Sequence, residues 1–345
     1  MTTAPRDGAA RIAVVGATGA VGRTMVSILE ERSFPLADLR LMASARSAGS
    51  VASTRWGDVT VEDLDTADPG GTDIALFSAG GARSREHAPR FAAAGVVVID
   101  NSSAFRMEPD VPLVVAQVND HAIHSHQGIV ANPNCTTMAL MMAAGPLHRV
   151  AGLTRLVATS YQSVSGSGQR GMEVLAHEIE LLGKDKTLLA SGGWSDPGSD
   201  LYARPIGWNV LPLAGSITVD GYTDEEWKLV NETRKILEAP DMAVEPTCVR
   251  VPVMVGHGIV ATMFFEAPLP LAEATAILSA APGARLWSDD KVPTPLDSAG
   301  IDDVLIGRVR QTIGEPGGIN LWVVGDNLRK GAALNAVQIA ELLID

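Results

Sequence analysis

The chain has 345 residues, 46% of them hydrophobic and 19% charged, which suits a globular protein with room for two domains. A net charge of −13 argues against a nucleic-acid partner. The apolar stretch after Cys135 is interrupted by Pro146, His148 and Arg149, so no run is long enough to span a bilayer. The polar segment Met1–Ala10 lacks the apolar core of a secretory signal, and a cytoplasmic location is expected. Two cysteines, Cys135 and Cys248, are too few for a disulfide framework and read as thiols of a reducing compartment.

In chain order, Arg11–Val15 reads as a buried strand ended by Gly16, and a helical pattern follows through Met25, Ile28 and Leu29. Leu39–Ala43 is the second strand. Asp73–Phe77 and Val96–Ile99 are two more, with a helical Arg83–Ala94 between them. Leu113–Val115 and Ile129–Val130 are candidates for further short strands. This alternation predicts a Rossmann-type, doubly wound parallel sheet over residues 1–134. Met138–Leu147 is a helix-like apolar run. Val157–Tyr161 reads as a strand entering a flexible glycine–serine turn, Ser163–Gly168, and Glu173–Leu182 as a helix. Residues 183–222 are loop-rich, and Asp224–Leu237 is helical with its acids first. Val249–Val255 and Gly258–Phe265 alternate like antiparallel strands. Leu271–Ala281 is helical, Asn320–Val324 a strand and Ala332–Leu343 the last helix. The expectation is an α/β protein: the first sheet, a second α+β domain over 135–326, and a terminal helix, about 327–345, packing back on the first domain.

Gly16-Ala17-Thr18-Gly19-Ala20-Val21-Gly22 stands between the first strand and the first helix. Glycines there allow a tight turn and close approach of pyrophosphate to the helix N-terminus, although the spacing is GxxGxxG; the alternative is a plain strand-to-helix turn. At the end of the second strand, where an acid would bind the ribose of NAD, the chain has Ser44-Ala45-Arg46-Ser47. A guanidinium beside hydroxyls suits the 2′-phosphate of NADP, the alternative being an exposed loop arginine.

Cys135, in Asn132-Pro133-Asn134-Cys135-Thr136-Thr137, lies where an extended run gives way to a helix. Unpaired N–H groups and the helix dipole favour a thiolate at that position; a buried structural thiol is the competing reading. A nucleophilic thiol needs a base. His257, between Gly256 and Gly258, is the strongest candidate, with a surface turn as the alternative. His121, His124 and His126 lack a convincing set of further ligands and read as a solvated loop, so no metal is expected. Cys248 reads as a packed strand thiol. Asn101–Arg106 follows a strand at the carboxyl edge of the sheet, where such folds bind ligands. Arg250 is placed on the strand that delivers His257, and by spacing alone Lys228 belongs to a solvated helix face.

Together these motifs resemble the aspartate-semialdehyde dehydrogenase family, in its bacterial form, over nearly the whole chain. The residues carrying the resemblance are the glycine loop, Ser44–Ser47, Asn101–Arg106, Asn132–Thr137, Tyr161–Gly168, Glu226–Lys228, Arg250–Gly258 and Gly325–Gly331. The resemblance implies that Cys135 is the nucleophile, oriented with help from Asn134, and that His257 is the acid/base. It implies that Gln162 holds and orients the substrate, that Arg250 grips its α-carboxylate and that Glu226 faces its amine. Arg106 and Lys228 would bind phosphate. Gly16, Thr18, Gly19, Ala20, Val21, Gly22, Ser44, Arg46, Ser47, Ser165, Gly166 and Asn327 would bind NADP. The implied reaction reduces L-aspartyl 4-phosphate to aspartate semialdehyde and phosphate, in the diaminopimelate, lysine, methionine and threonine routes. The second domain would be catalytic and would build a homodimer or homotetramer. Alternatives are a paralogue acting on N-acetylglutamyl phosphate and a nucleotide-binding relative without catalysis. The chain departs from the family pattern at Gln117, where an acid is common.

Overall fold

The short apolar runs at residues 12–15, 74–77 and 97–99 dictate the centre of the first sheet, because only a sheet covered on both faces can bury every side chain of such a run. In the computed structural model, which describes residues 8–288, 290–315 and 317–344, the chain divides into two compact units. The first comprises Met1–Met141, Asn231–Pro240 and Leu328–Asp345, the second Met142–Val230 and Asp241–Asn327. Residues 1–7 of the polar segment Met1–Ala10 and the last residue of the predicted terminal helix, Asp345, lie outside the described residues.

The first unit holds β1 (Ala10–Val15), β2 (Leu36–Ala43), β3 (Val51–Thr54), β4 (Gly57–Asp63), β5 (Ile74–Phe77), β6 (Val97–Asp100) and β7 (Ile129–Ala131). Their order in the sheet is β3-β4-β2-β1-β5-β6-β7, parallel throughout except for the β3–β4 hairpin. In β1, β2, β5 and β6 alternate residues serve different cores. Ile12, Val14, Leu41, Leu76 and Ile99 join the core of α1 (Ala20–Glu31) and the terminal helix, whereas Ala13, Val15, Met42, Phe77 and Val98 join that of α2 (Gly81–Ala93). Helices on both faces make this a doubly wound sheet. The terminal helix, Leu334–Ile344, packs on α1, where Arg32 pairs with Glu341 at 2.7 Å. The β3–β4 hairpin extends the sheet beyond the predicted strands. Leu113–Val115 forms no strand and contributes only a bridge from Leu113 to Ala131.

Two helices span the division: α3 (Cys135–Ala151) and α6 (Asp224–Ile236). In the second unit, β8 (Leu153–Gln162), β9 (Ala243–Arg250), β10 (His257–Phe265), β11 (Ala284–Leu286), β12 (Val304–Gln311) and β13 (Ile319–Gly325) order as β11-β12-β13-β10-β8-β9. The helices are α4 (Gly168–Leu182), the short α5 (Lys186–Ser191), α7 (Leu271–Ala280) and α8 (Pro295–Ser298), so the terminal helix is α9. One face of the sheet is buried through Leu156, Ala158, Ile259, Ala261, Leu321 and Val323; the other leaves Val157 40% exposed, beside half-buried Val260 and Trp322. The predicted strand Val249–Val255 is displaced. β9 ends at Arg250 and pairs parallel with β8, not antiparallel with β10. Beyond it Pro252 has no N–H to give a ladder, and Gly256 takes a φ of +98°, which turns the chain into β10. Arg250 and His257 therefore stand on different strands, at the end of one and the start of the next.

Candidate active site

The candidate residues fall in both units, and each unit builds its share separately. In the first, Gly16 leaves β1 with φ +83°, and a Cβ there would stand 2.2 Å from the carbonyl oxygen of Ser78, which follows β5. A Cβ on Gly22 would meet the Gly16 carbonyl oxygen at 2.2 Å. Only glycine permits this closure of strand on helix. The loop hangs from Met42, whose carbonyl accepts the N–H groups of Gly16 (2.8 Å) and Ala17 (3.1 Å). Gly19 precedes α1 without a side-chain cap, so the first-turn amides, Ala20 and Val21 among them, retain no intrahelical acceptor. Sheet order reverses between β1 and β5, and the loops after both strands lie at this switch point. The turn after β2 adds Ser44, exposed Arg46 and Ser47; the Ser47 hydroxyl lies 3.4 Å from that of Thr18. Glycine cradle, open helix end and cationic turn fit a dinucleotide phosphate.

Cys135 is the first residue of α3 and is half-buried. Asn134 caps the helix: its Oδ1 accepts the Thr136 N–H at 2.9 Å, and its backbone carbonyl accepts from Met138. Its own N–H donates at 2.7 Å to Glu232, a residue of α6 only 1% exposed. The other oxygen of Glu232 accepts from Arg106 at 3.0 Å, and Arg106 further donates to the carbonyls of Asn132 and Asn101. The structure thus brings Asn134, the residue before Cys135, and Arg106 into one network around an acid that sequence reasoning missed. Asn132 is tied from the other side by Asn335 of α9, which donates to its Oδ1 at 2.6 Å. Gln117, at the position where the resemblance led to an expected acid, takes a positive φ of 78° and donates its N–H to Asp120.

In the second unit, Arg250 and His257 lie under the turn that follows β8. Ser163 donates its N–H to His257 Nδ1 at 3.1 Å, which leaves the proton of the neutral ring on Nε2. The Ser163 carbonyl accepts from Arg250 at 2.8 Å. A Cβ on Gly166 would lie 3.3 Å from the Arg250 guanidinium and 3.4 Å from His257 Nε2, so the turn closes on both. Asn327 Oδ1 accepts from the Gly256 N–H at 2.9 Å and from the hydroxyls of Ser163 and Ser165. Burial, aided by the Arg250 charge, pushes the His257 imidazole down to about 3, so the ring is neutral at pH 7. His257 Nε2 and Arg250 Nε are buried without a hydrogen-bond partner, which makes them the atoms free to engage a ligand. Buried Gln162 donates to the Ser160 hydroxyl.

Glu226 forms a capping box with Thr223, the residue before α6: one carboxylate oxygen accepts the Thr223 N–H at 2.8 Å, while the Thr223 hydroxyl accepts the Glu226 N–H at 3.2 Å. Its second oxygen accepts the Cys248 N–H at 2.9 Å. Lys228 is paired with Asp224 and Glu225 at 2.7 and 2.6 Å. Cys248 is the packed strand thiol expected; burial pushes it up to about 12. Of the loop histidines, His121 pairs with exposed Glu238, and none joins a group of potential metal ligands among the described residues.

Residues 11–126 match the semialdehyde dehydrogenase NAD-binding domain, and residues 145–330 the semialdehyde dehydrogenase dimerisation domain. The chain is 54% identical to the aspartate-semialdehyde dehydrogenase of Streptomyces akiyoshiensis over 340 residues, covering 96% of this chain and 98% of the relative. It is 51% identical to that of Mycolicibacterium smegmatis over 342 residues, with the same two coverages. The crystal structure of aspartate semialdehyde dehydrogenase II complexed with ASA from Vibrio cholerae superposes with a TM-score of 0.91 at 43% identity, covering 97% of this chain and 98% of that one. The chain belongs to the aspartate-semialdehyde dehydrogenase family.

Proposed function

We propose that this protein is the NADP-dependent, phosphorylating enzyme that reduces L-aspartyl 4-phosphate to L-aspartate 4-semialdehyde and phosphate through an acyl thioester on Cys135. The observation that carries the reading is the half-buried thiol at the capped first turn of α3, where the helix end favours the thiolate. The relative from Vibrio cholerae was solved with ASA, which supports the same substrate here.

The Cys135 thiolate attacks the β-carbonyl of aspartyl phosphate, and the C–O bond to phosphate breaks with its electron pair. Arg250, buried with an unused guanidinium N–H, holds the α-carboxylate, and Gln162 orients the substrate. Arg106 and Lys228 receive the phosphate, Lys228 exchanging its acidic partners for it. Glu226 faces the amine through lone pairs that its capping bonds leave unused. When bound, NADPH supplies the hydride that reduces the thioester carbonyl. His257 lends its Nε2–H to the resulting oxyanion and takes that proton back as the C=O bond re-forms, the C–S bond breaks with its electron pair on sulfur and the thiolate returns. Splitting one difficult displacement into two easier ones is the gain of the covalent route.

The glycine loop, Ser44, Arg46 and Ser47 hold the cofactor, Arg46 reading the 2′-phosphate; Ser165, Gly166 and Asn327 complete its contacts. The enzyme works in the cytoplasm as a homodimer or homotetramer, built through the partly apolar, exposed face of the second sheet around Val157, Val260 and Trp322. The test is a spectrophotometric assay with aspartate semialdehyde, phosphate and NADP. Absorbance should rise at the reduced-nicotinamide band with the parent and stay flat with Cys135→Ala. Folded parent without turnover overturns the proposal.

A further inference from the structure

Glu232 is a buried acid that the steps above do not use, and it touches the thiol's own helix cap. Three observations converge on it. Its carboxylate is 1% exposed, and one oxygen accepts the N–H of Asn134, the residue that caps α3 immediately before Cys135. Its other oxygen faces Arg106, 7% exposed, whose Nε also grips the carbonyl of Asn132 in the same loop. One turn further along α6, Lys235 donates to the carbonyls of Arg106, Glu108 and Val111 at 2.8 Å each, which fixes the segment carrying that arginine. A buried carboxylate at a helix N-terminus favours the dipole but opposes a second anion there. An arginine in contact with it cancels that opposition.

We propose that Glu232 is a positioning residue for the reaction: it fixes the Asn134 cap that seats Cys135 on α3, while Arg106 neutralises its charge beside the thiol. The ion pair is therefore a device that holds the nucleophile without repelling its anionic form. The inference rests on Cys135 being the nucleophile, but not on the identity of the substrate.

The experiment is alkylation of the full-length protein with iodoacetamide across pH, followed by mass of the intact chain. Cys248 does not interfere, being buried with its thiol pushed up to about 12. Glu232→Gln keeps an acceptor for the Asn134 N–H but leaves the guanidinium unbalanced. The pH of half-maximal Cys135 labelling should fall by about one unit, roughly a tenfold gain in thiolate at a fixed pH below the midpoint. Glu232→Asp keeps the charge and loses reach, so its midpoint should stay at the parent value while kcat drops about tenfold with little change in KM. A midpoint in Glu232→Gln within about 0.2 units of the parent overturns the proposal. If that variant does not fold, Glu232→Asp decides: parental midpoint with reduced kcat supports the proposal, and parental kcat overturns it. Labelling needs no substrate, so a parent that fails to turn over aspartate semialdehyde, with the shift still present in Glu232→Gln, sinks the proposed activity and leaves this inference standing.

Discussion

Replacing His257 with asparagine should make the protein more tolerant of acid, even as it damages catalysis. The ring is 1% exposed, and burial together with Arg250 holds it neutral down to about pH 3. In the unfolded chain a histidine takes up its proton near pH 6.5. Below that pH the unfolded state binds a proton that the folded state refuses, so stability falls as pH falls, over the window from about 6.5 to about 3. The slope approaches 1.36 kcal/mol per pH unit, which makes the loss between pH 7 and pH 5 about 2 kcal/mol. Asparagine can accept the Ser163 N–H without titrating, so His257→Asn should escape this share of the loss. Urea unfolding at the two pH values measures it. Tryptophan emission is a suitable signal because Trp194, Trp208, Trp227, Trp287 and Trp322 all belong to the second unit, with only Trp56 in the first. Equal losses in parent and variant, within about 0.5 kcal/mol, would refute both the neutral ring and its proposed role as an Nε2–H donor.

Arg46→Ala should raise the Kd for NADP at least about tenfold and leave NAD nearly unchanged, as loss of one charge-assisted phosphate contact implies; equal losses for both cofactors in a fluorescence titration would contradict the 2′-phosphate assignment. Glu226→Ala should destabilise the protein by about 2 kcal/mol or more, because it strips acceptors from two buried backbone N–H groups; urea unfolding checks this, and an unchanged midpoint would show the capping box to be dispensable.

The first unit was legible because its signals are local. Apolar strand runs and the glycine loop depend on neighbours a few residues away. The β3–β4 hairpin escaped notice although Gly57–Asp63 alternates, because both strands are largely exposed and polar. β9 lies earlier in the chain than expected because Val249–Val255 is apolar enough to pass for a strand; Pro252 inside that run and Gly256 just after it outweigh the composition. The thiol at a helix mouth and the histidine between two glycines were visible as types at telling positions, whereas the capping role of Asn134 is a finding of the structure. Glu232 was not. The residues Leu229, Glu232 and Ile236 share one helical face, with the acid standing where an apolar residue belongs; its partner Arg106 lies 126 residues away. Glu226 is the opposite case: the Thr-x-x-Glu signature of a capping box was present in the sequence, and the structure adds the long-range bond to Cys248.

The strict division of β1 between two cores bears on how this chain can vary. Ile12 and Val14 serve one layer, and Ala13 and Val15 the other. Inserting or deleting one residue would exchange the layers, setting isoleucine and valine against spaces shaped for smaller groups on the α2 side, and alanine against the hollow they left. It would also slide Gly16 away from Ser78, where no side chain fits. Lineages of this protein can therefore explore β1 by substitution but not by change of length, and length polymorphism should collect in exposed connections such as residues 192–200 instead.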